Sequence, residues 1–395
     1  MWIFAAALAA LLLAAPAAAA PAPWIATWAA PPTPSFVPPP GAPANLNPTP
    51  SFKDQTLVQT VRLTAAGHRL RLRLSNEYGA KALDIGAVRI AVIGPDGRAG
   101  PDRVVTFAGE GKATILPHAP LVSDPVDLAT APMASLRVAI YLPGDAGLCT
   151  CHPLGLGTVQ LSPPGDHTSG AFAPVSTTTF RPYLTAVEVE GAATQPVIVA
   201  FGDSITDGHG STVDANRRWP DVLAERLKGK AAVVNAGISG NRVLSNGYLA
   251  YQGEGALSRF DRDVLAIPGA THLIVLEGVN DIAGRGGPTA AQMIAGYRQM
   301  IARAQAHGVK VILATILPFG GPGSHPVEPY KTRDAINAWI RSNKEADGFI
   351  DLDAAIRDPA DPLTMKAEWQ SGDWLHPSDA GYRVMGEAVD LKLFR

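Results

Sequence analysis

The chain has 395 residues, 47% of them hydrophobic and 17% charged, and a formal net charge of −2. This is an ordinary globular composition, long enough for two domains with a core each. A charge so near zero, with no run of Lys or Arg, excludes a field that would recruit nucleic acid or an anionic membrane.

Met1 to Ala20 is almost wholly apolar and ends in Ala-Pro-Ala-Ala-Ala-Ala, which reads as a signal peptide cleaved near Ala18 to Ala20. It has no Lys or Arg before the apolar stretch. The competing reading is a membrane anchor, but the run is Ala-rich and is broken at Pro16, with Pro21 and Pro23 next. The expectation is therefore a secreted or periplasmic protein without stable membrane insertion, because no later stretch has the length and apolarity of a span.

A Pro-rich segment, Pro31 to Pro50, should be extended. From Gln59 to Leu142 the pattern alternates with period two. Val61-Arg62-Leu63 and Leu70-Arg71-Leu72-Arg73-Leu74 set apolar residues on one face and arginines on the other. Short runs follow at Ala87–Ile93, Val104–Phe107, Ala113–Leu116 and Leu136–Leu142, with turn residues between them. The reading is an all-β, sandwich-like domain. Arg62, Arg71 and Arg73 fit the solvated face of an outer sheet better than an anion-binding strip.

The two cysteines form Cys149-Thr150-Cys151-His152. A disulfide between residues two apart would be tight, and a zinc site with His152 lacks further ligands nearby in sequence. A local structural role is expected, either as a small disulfide ring or as two buried thiols. Pro163 to Pro182, rich in Pro, Gly and Thr, reads as a connection.

From Pro196 the rhythm changes. Val197–Phe201 is a short buried strand, and further strands are expected at Ala232–Asn235, Leu273–Leu276, Val309–Ile316 and Phe349–Leu352. Helical patterns alternate with them, near Trp219–Leu227, Ala256–Leu265, Ala290–His307 and Arg333–Ser342 and after Ser378. Apolar strands alternating with amphipathic helices specify a parallel sheet covered on both faces. In such sheets the site lies beyond the carboxyl ends of the strands. The division read from the chain is 1–20 signal peptide, 21–190 β domain and 191–395 α/β domain.

Four strand-end segments carry the chemistry. Ser204, in Gly202-Asp203-Ser204-Ile205-Thr206-Asp207-Gly208, follows the first strand, and a hydroxyl becomes a useful nucleophile only when a base takes its proton. Of the nine histidines, His376 is the best base. It stands in Asp373-Trp374-Leu375-His376-Pro377, where an acid three residues earlier can hold the imidazole. His209 is the rival, five residues after Ser204 in a Gly-His-Gly setting, with only Asp207 at comparable spacing. Asn235 to Asn241 and Gly278-Val279-Asn280-Asp281 offer backbone and Asn donors for an oxyanion.

Taken together, these segments resemble the four blocks of the SGNH, or GDSL, hydrolases. The first block has Ile205 where many members have Leu, a conservative difference. The preceding β domain is similar, more loosely, to the N-terminal domain of secreted bacterial members, through Gln59-Thr60-Val61-Arg62, Leu74 to Gly79 and Pro163 to Asp166. The resemblance implies a three-layer α/β/α flavodoxin-like sheet. It also implies Ser204 as nucleophile, His376 as general base and Asp373 as orienting acid. The oxyanion hole would comprise the Ser204 and Gly240 backbone N–H groups and the Asn280 side chain. No metal or organic cofactor is required by that mechanism. The α/β-hydrolase alternative is disfavoured because no G-x-S-x-G surrounds a candidate nucleophile. The substrate expected is a short acyl ester, acetylated carbohydrate first. A lysophospholipase or short-chain lipase is the alternative, and a non-catalytic glycan- or surface-binding protein is the reading from another class.

Overall fold

In a computed structural model, the described residues are 23–43, 46, 48–192, 194–284, 286–323 and 326–394. The expected signal peptide therefore lies outside them. None of the described helices is long and apolar enough to cross a membrane.

The first half is built on two large antiparallel sheets, with two short two-stranded pairs beside them. One joins strands Trp24–Ala29, Leu184–Glu190 and Gly67–Ser75, with Pro120–Val122 and Val126–Thr130 along the last. The other runs through Ser176–Thr178, Val159–Pro164, Ser51–Arg62, Ser135–Leu148, Ala87–Ile93 and Arg103–Val105. Alternating residues such as Leu70, Leu72, Leu74, Val138 and Ile140 face one another in a common core, as inward positions of a sandwich do.

Two sequence expectations need correction here, and one strand was missed. The segment Pro163 to Pro182 is not merely a connection, since it contains the strand Ser176–Thr178 and the short pair Arg181–Pro182 with Cys151–His152. Strand Trp24–Ala29, which the periodicity did not reveal, closes one sheet edge. The arginines are not a simple solvated face. Arg71 bonds the fully buried Glu188 at 2.6 Å and lies over Trp24, and Arg73 stands 3.8 Å from the same carboxylate. Arg62 reaches across to the second half, bonding Glu225 at 2.9 Å and the Asn216 carbonyl at 3.1 Å. A buried carboxylate needs such counter-charges, and period-two patterning does not reveal where one lies.

The second half is a parallel sheet, β1 (Val197–Gly202), β2 (Ala232–Gly237), β3 (Ala270–Leu276), β4 (Lys310–Ala314) and β5 (Gly348–Ile350), in the order β2-β1-β3-β4-β5. This is the flavodoxin-like order, whose switch point lies between β1 and β3. The helices are α1 (Ser204–Asp207), α2 (Trp219–Leu227), α3 (Ala256–Phe260), α4 (Val279–Ile282), α5 (Ala290–Ala306), α6 (Val327–Ser342), α7 (Leu352–Ile356) and α8 (Asp379–Ala388). Apolar positions spaced by three and four residues, such as Met293, Tyr297, Met300 and Ala304 of α5, bury against the sheet. The helical pattern at Ala256–Leu265 is realised as α3 followed by a π-helical turn at Asp261–Leu265.

The two halves share more than a linker. Strand Trp24–Ala29 sends Ile25 into the sandwich core and Ala26 and Ala29 into the core of the parallel sheet. The Thr64 hydroxyl bonds both the carbonyl and the N–H of Val233 on β2 at 3.0 Å.

Candidate active site

The site is assembled at the carboxyl ends of β1, β2 and β3 and in the loop before α8. Ser204 opens α1 directly after β1, and Asp203 caps that helix by accepting from the Ile205 N–H at 2.9 Å. Ser204 is buried apart from its approach to a cavity of about 370 Å³. Its Oγ lies 2.8 Å from Nε2 of His376, and Nδ1 of His376 lies 2.6 Å from Oδ2 of Asp373. The three residues that sequence spacing singled out are thus brought into one hydrogen-bonded line.

Local backbone chemistry makes the Asp373–His376 pair. Oδ1 of Asp373 accepts the N–H groups of Leu375 and His376, each at 2.9 Å, in an Asx-type turn. Trp374 between them has φ 60°, in the left-handed region. Burial would raise the Asp373 pKa, but the bonds from the His376 ring and these two N–H groups outweigh it and hold the carboxyl at about 2. His376 is shifted down, chiefly by burial and further by neighbouring His209, against the opposing pull of Asp373. A neutral, acceptor-ready Nε2 at neutral pH is what a general base requires.

The proposed oxyanion donors face the same cavity, which Ser204, Ser239, Gly240 and Asn280 all line. Gly240 has φ +79°, and a Cβ there would meet the Gln252 side chain, so the turn and its packing both call for glycine. Asn280 spends one side-chain N–H on the Asn241 carbonyl at 3.0 Å, leaving the second free to donate.

His209 does not contact the Ser204 hydroxyl in the way His376 does. It is exposed, with its ring centroid 4.1 Å from that of His376, and its carbonyl accepts from the Tyr382 hydroxyl. Among the described residues His209, Asp373 and His376 bring ligand-type atoms within 4.8 Å of one another. A cation held by His376 would take a ring nitrogen that already bonds Ser204 or Asp373.

Two residues to which the sequence gave no role in the site, Arg259 and the His152 weighed there only as a metal ligand, organise it. Arg259 is fully buried on α3 and donates to the carbonyls of Gly202 at 2.9 Å and Ala236 at 2.8 Å and to Oδ1 of Asn241 at 2.8 Å. It ties the ends of β1 and β2 together and pairs with Asp263, with Glu277 at 3.7 Å. Around it burial pushes Asp203 up to about 7 and raises Glu277 well above the usual carboxylate range. Nothing in the local sequence marks this arginine.

His152 is the other. The Cys149–Cys151 disulfide forms, resolving the choice left open between ring and thiols, and its Cα separation of 5.4 Å is ordinary for a disulfide. His152 follows at once and bonds Asp207 at 2.8 Å. Pro153, Leu154, Thr179 and Phe180 of the β domain line the cavity together with Leu375 and Tyr251.

Residues 200–384 match the GDSL-like lipase/acylhydrolase family. No curated protein matches the chain. Among solved structures, it is similar to a GDSL-like lipase from Bacteroides thetaiotaomicron, at 21% identity over 51% of this chain and 90% of the other, with a TM-score of 0.39. It is also similar to an aryl esterase from M. smegmatis, at 18% over 49% and 95%, TM-score 0.40. A third is a carbohydrate acetylesterase from Sinorhizobium meliloti, at 16% over 49% and 96%, TM-score 0.39. The second half of the chain thus carries a domain, residues 200–384, that matches the GDSL-like lipase/acylhydrolase family.

Proposed function

We propose that the protein is an exported serine esterase acting on short acyl esters, with Ser204 as nucleophile, His376 as general base and Asp373 as the acid that orients it. The observation that carries this reading is the continuous line from Ser204 Oγ through His376 to Asp373, at 2.8 and 2.6 Å, opening on a cavity. His376 takes the proton as Ser204 attacks the ester carbonyl. N–H groups of Ser204 and Gly240 and the Asn280 amide then receive the oxyanion. His376 returns the proton to the leaving alcohol, and water resolves the acyl-enzyme by the same route.

The size of the cavity supports a small acyl group, since about 370 Å³ is near the lower end of small-molecule sites. Export is supported by the apolar leader in the sequence and by the disulfide, a bond typical of oxidising compartments.

A fluorophosphonate probe should label the wild type and leave Ser204→Ala unlabelled. Labelling that is absent in the wild type, or equal in the two, would favour a non-catalytic binding protein instead. Nitrophenyl esters should be cleaved best with acetyl to butyryl chains. A maximum at octanoyl or longer would replace the short-chain reading with a lipase or lysophospholipase.

A further inference from the structure

Besides lining the cavity, the β domain reaches the reaction centre through a buried contact between His152 and Asp207. His152 is only 5% exposed and sits directly after the Cys149–Cys151 disulfide, on a two-residue strand paired with Arg181–Pro182. Neighbouring backbone groups anchor that strand further. Thr33 donates its N–H to the Cys151 carbonyl at 2.9 Å, and the Tyr183 N–H bonds the Thr150 carbonyl at 2.9 Å.

The His152 ring has two partners, and both can only accept. Nδ1 lies 2.9 Å from the Pro31 carbonyl, and Nε2 lies 2.8 Å from Oδ1 of Asp207. A carbonyl oxygen has no proton to give, so Nδ1 carries hydrogen, and Nε2 faces a carboxyl group that also accepts from Ser239, an arrangement that suits an imidazolium. The other oxygen of Asp207 accepts the Ser239 N–H at 2.9 Å and the Ser239 hydroxyl at 2.8 Å. Ser239 immediately precedes Gly240, in a turn closed by the Asn241 N–H on the Ile238 carbonyl at 3.0 Å. Asp207 also ends α1, the helix that Ser204 begins. One buried carboxylate thus joins the nucleophile's helix to the turn that presents the Gly240 donor, with its counter-charge supplied by the β domain.

We propose that His152 is a positioning residue for ester hydrolysis: its imidazolium anchors Asp207 as counter-charge and hydrogen-bond donor, and Asp207 in turn holds the Ser239–Gly240 turn in place to receive the oxyanion. The proposal rests on the reading of Ser204 and His376 as an acyl-transfer site. Loss of the His152 proton would leave Asp207 buried without its counter-charge, and the turn it holds would lose its anchor.

The charged surroundings set the sign of the pH effect. Burial opposes the cation and Arg218 repels it, but Asp207 and the Pro31 carbonyl outweigh both, so the His152 pKa is raised above its ordinary 6.5. Arg181 stands in the paired strand, and Asp203 and Tyr382 feel the charge of Asp207 from the other side. The imidazolium therefore persists through 6.5 and is lost as pH rises through the raised value, where kcat should fall.

The test is nitrophenyl acetate hydrolysis by the full chain. Wild type and Ser204→Ala come first, and hydrolysis that does not depend on Ser204 overturns both the site reading and this inference. With Ser204-dependent hydrolysis in hand, His152→Ala should lower kcat by up to about 10²-fold, the scale of a small misplacement of catalytic groups, with KM little changed. His152→Gln, which keeps one neutral donor, should recover part of that loss and abolish the alkaline fall in kcat. A merely structural role would lower Tm without moving the pH profile. If His152→Ala does not fold, the wild-type profile and an NMR titration of the His152 ring decide, and the two midpoints should coincide. Wild-type kcat in His152→Gln, or an alkaline limb that survives that substitution, overturns the positioning role alone.

Discussion

His376 and His209 show how surroundings distinguish two neighbouring imidazoles, and the role of general base proposed for His376 rests on that difference. The two rings lie 4.1 Å apart, yet His376 is the one bonded to Ser204 Oγ, and it is also held by a carboxylate. We expect His376→Ala to cost on the order of 10³-fold or more in kcat/KM, and His209→Ala to leave most activity, in steady-state ester hydrolysis. Reversal of that order would exchange their roles. Because burial lowers the His376 pKa, the neutral base is already present at its ordinary 6.5 and is lost as pH falls through a lower value. The acid limb of kcat/KM should therefore have its midpoint below 6.5, and a midpoint above it would contradict the environment described. At this scale much was legible in the sequence, because Asp373 and His376 meet through a local turn only three residues long. His152 and Asp207 were not, since they are 55 residues apart and meet only after the two halves pack.

Arg259 shows how an element end is held rather than how a residue reacts. Parallel strands leave carbonyl groups at their carboxyl ends, and those of Gly202 and Ala236 would be buried without donors if the guanidinium were absent. Asp263 and Glu277 would also lose their buried counter-charge. Arg259→Met should thus destabilise the protein by about 3–5 kcal/mol, the range for breaking a buried pair. Urea unfolding measures this directly, and an unchanged midpoint would show that the strand ends are held by other means. The strands and helices around Arg259 were legible in the sequence because periodicity records which face each element buries. The arginine's role was not, because α3 reads locally as another amphipathic stretch.

For the whole molecule, the β domain acts as part of the active-site wall and as part of the core. Pro153, Leu154, Thr179 and Phe180 line the cavity, and Ala26 and Ala29 fill the core of the parallel sheet. Deletion of residues before 191 should give an aggregating protein, because the surface of β2 that bonds Thr64 and packs against strand Trp24–Ala29 would be exposed. Soluble expression and fluorophosphonate labelling of the truncated chain test this, and a soluble fragment with full activity would show that the β domain is dispensable. The sequence by itself determined the α/β architecture, the sandwich-like half and the four strand-end blocks, since each depends on periodicity or on contacts within a few residues. Only the tertiary structure decided that the arginine face neutralises Glu188, that Arg62 crosses to the second half, and that the residue after the cysteine pair is bonded to the helix that Ser204 begins. Those are pairings of charges across large separations in the chain, and a buried charge leaves no local pattern to say where its partner lies.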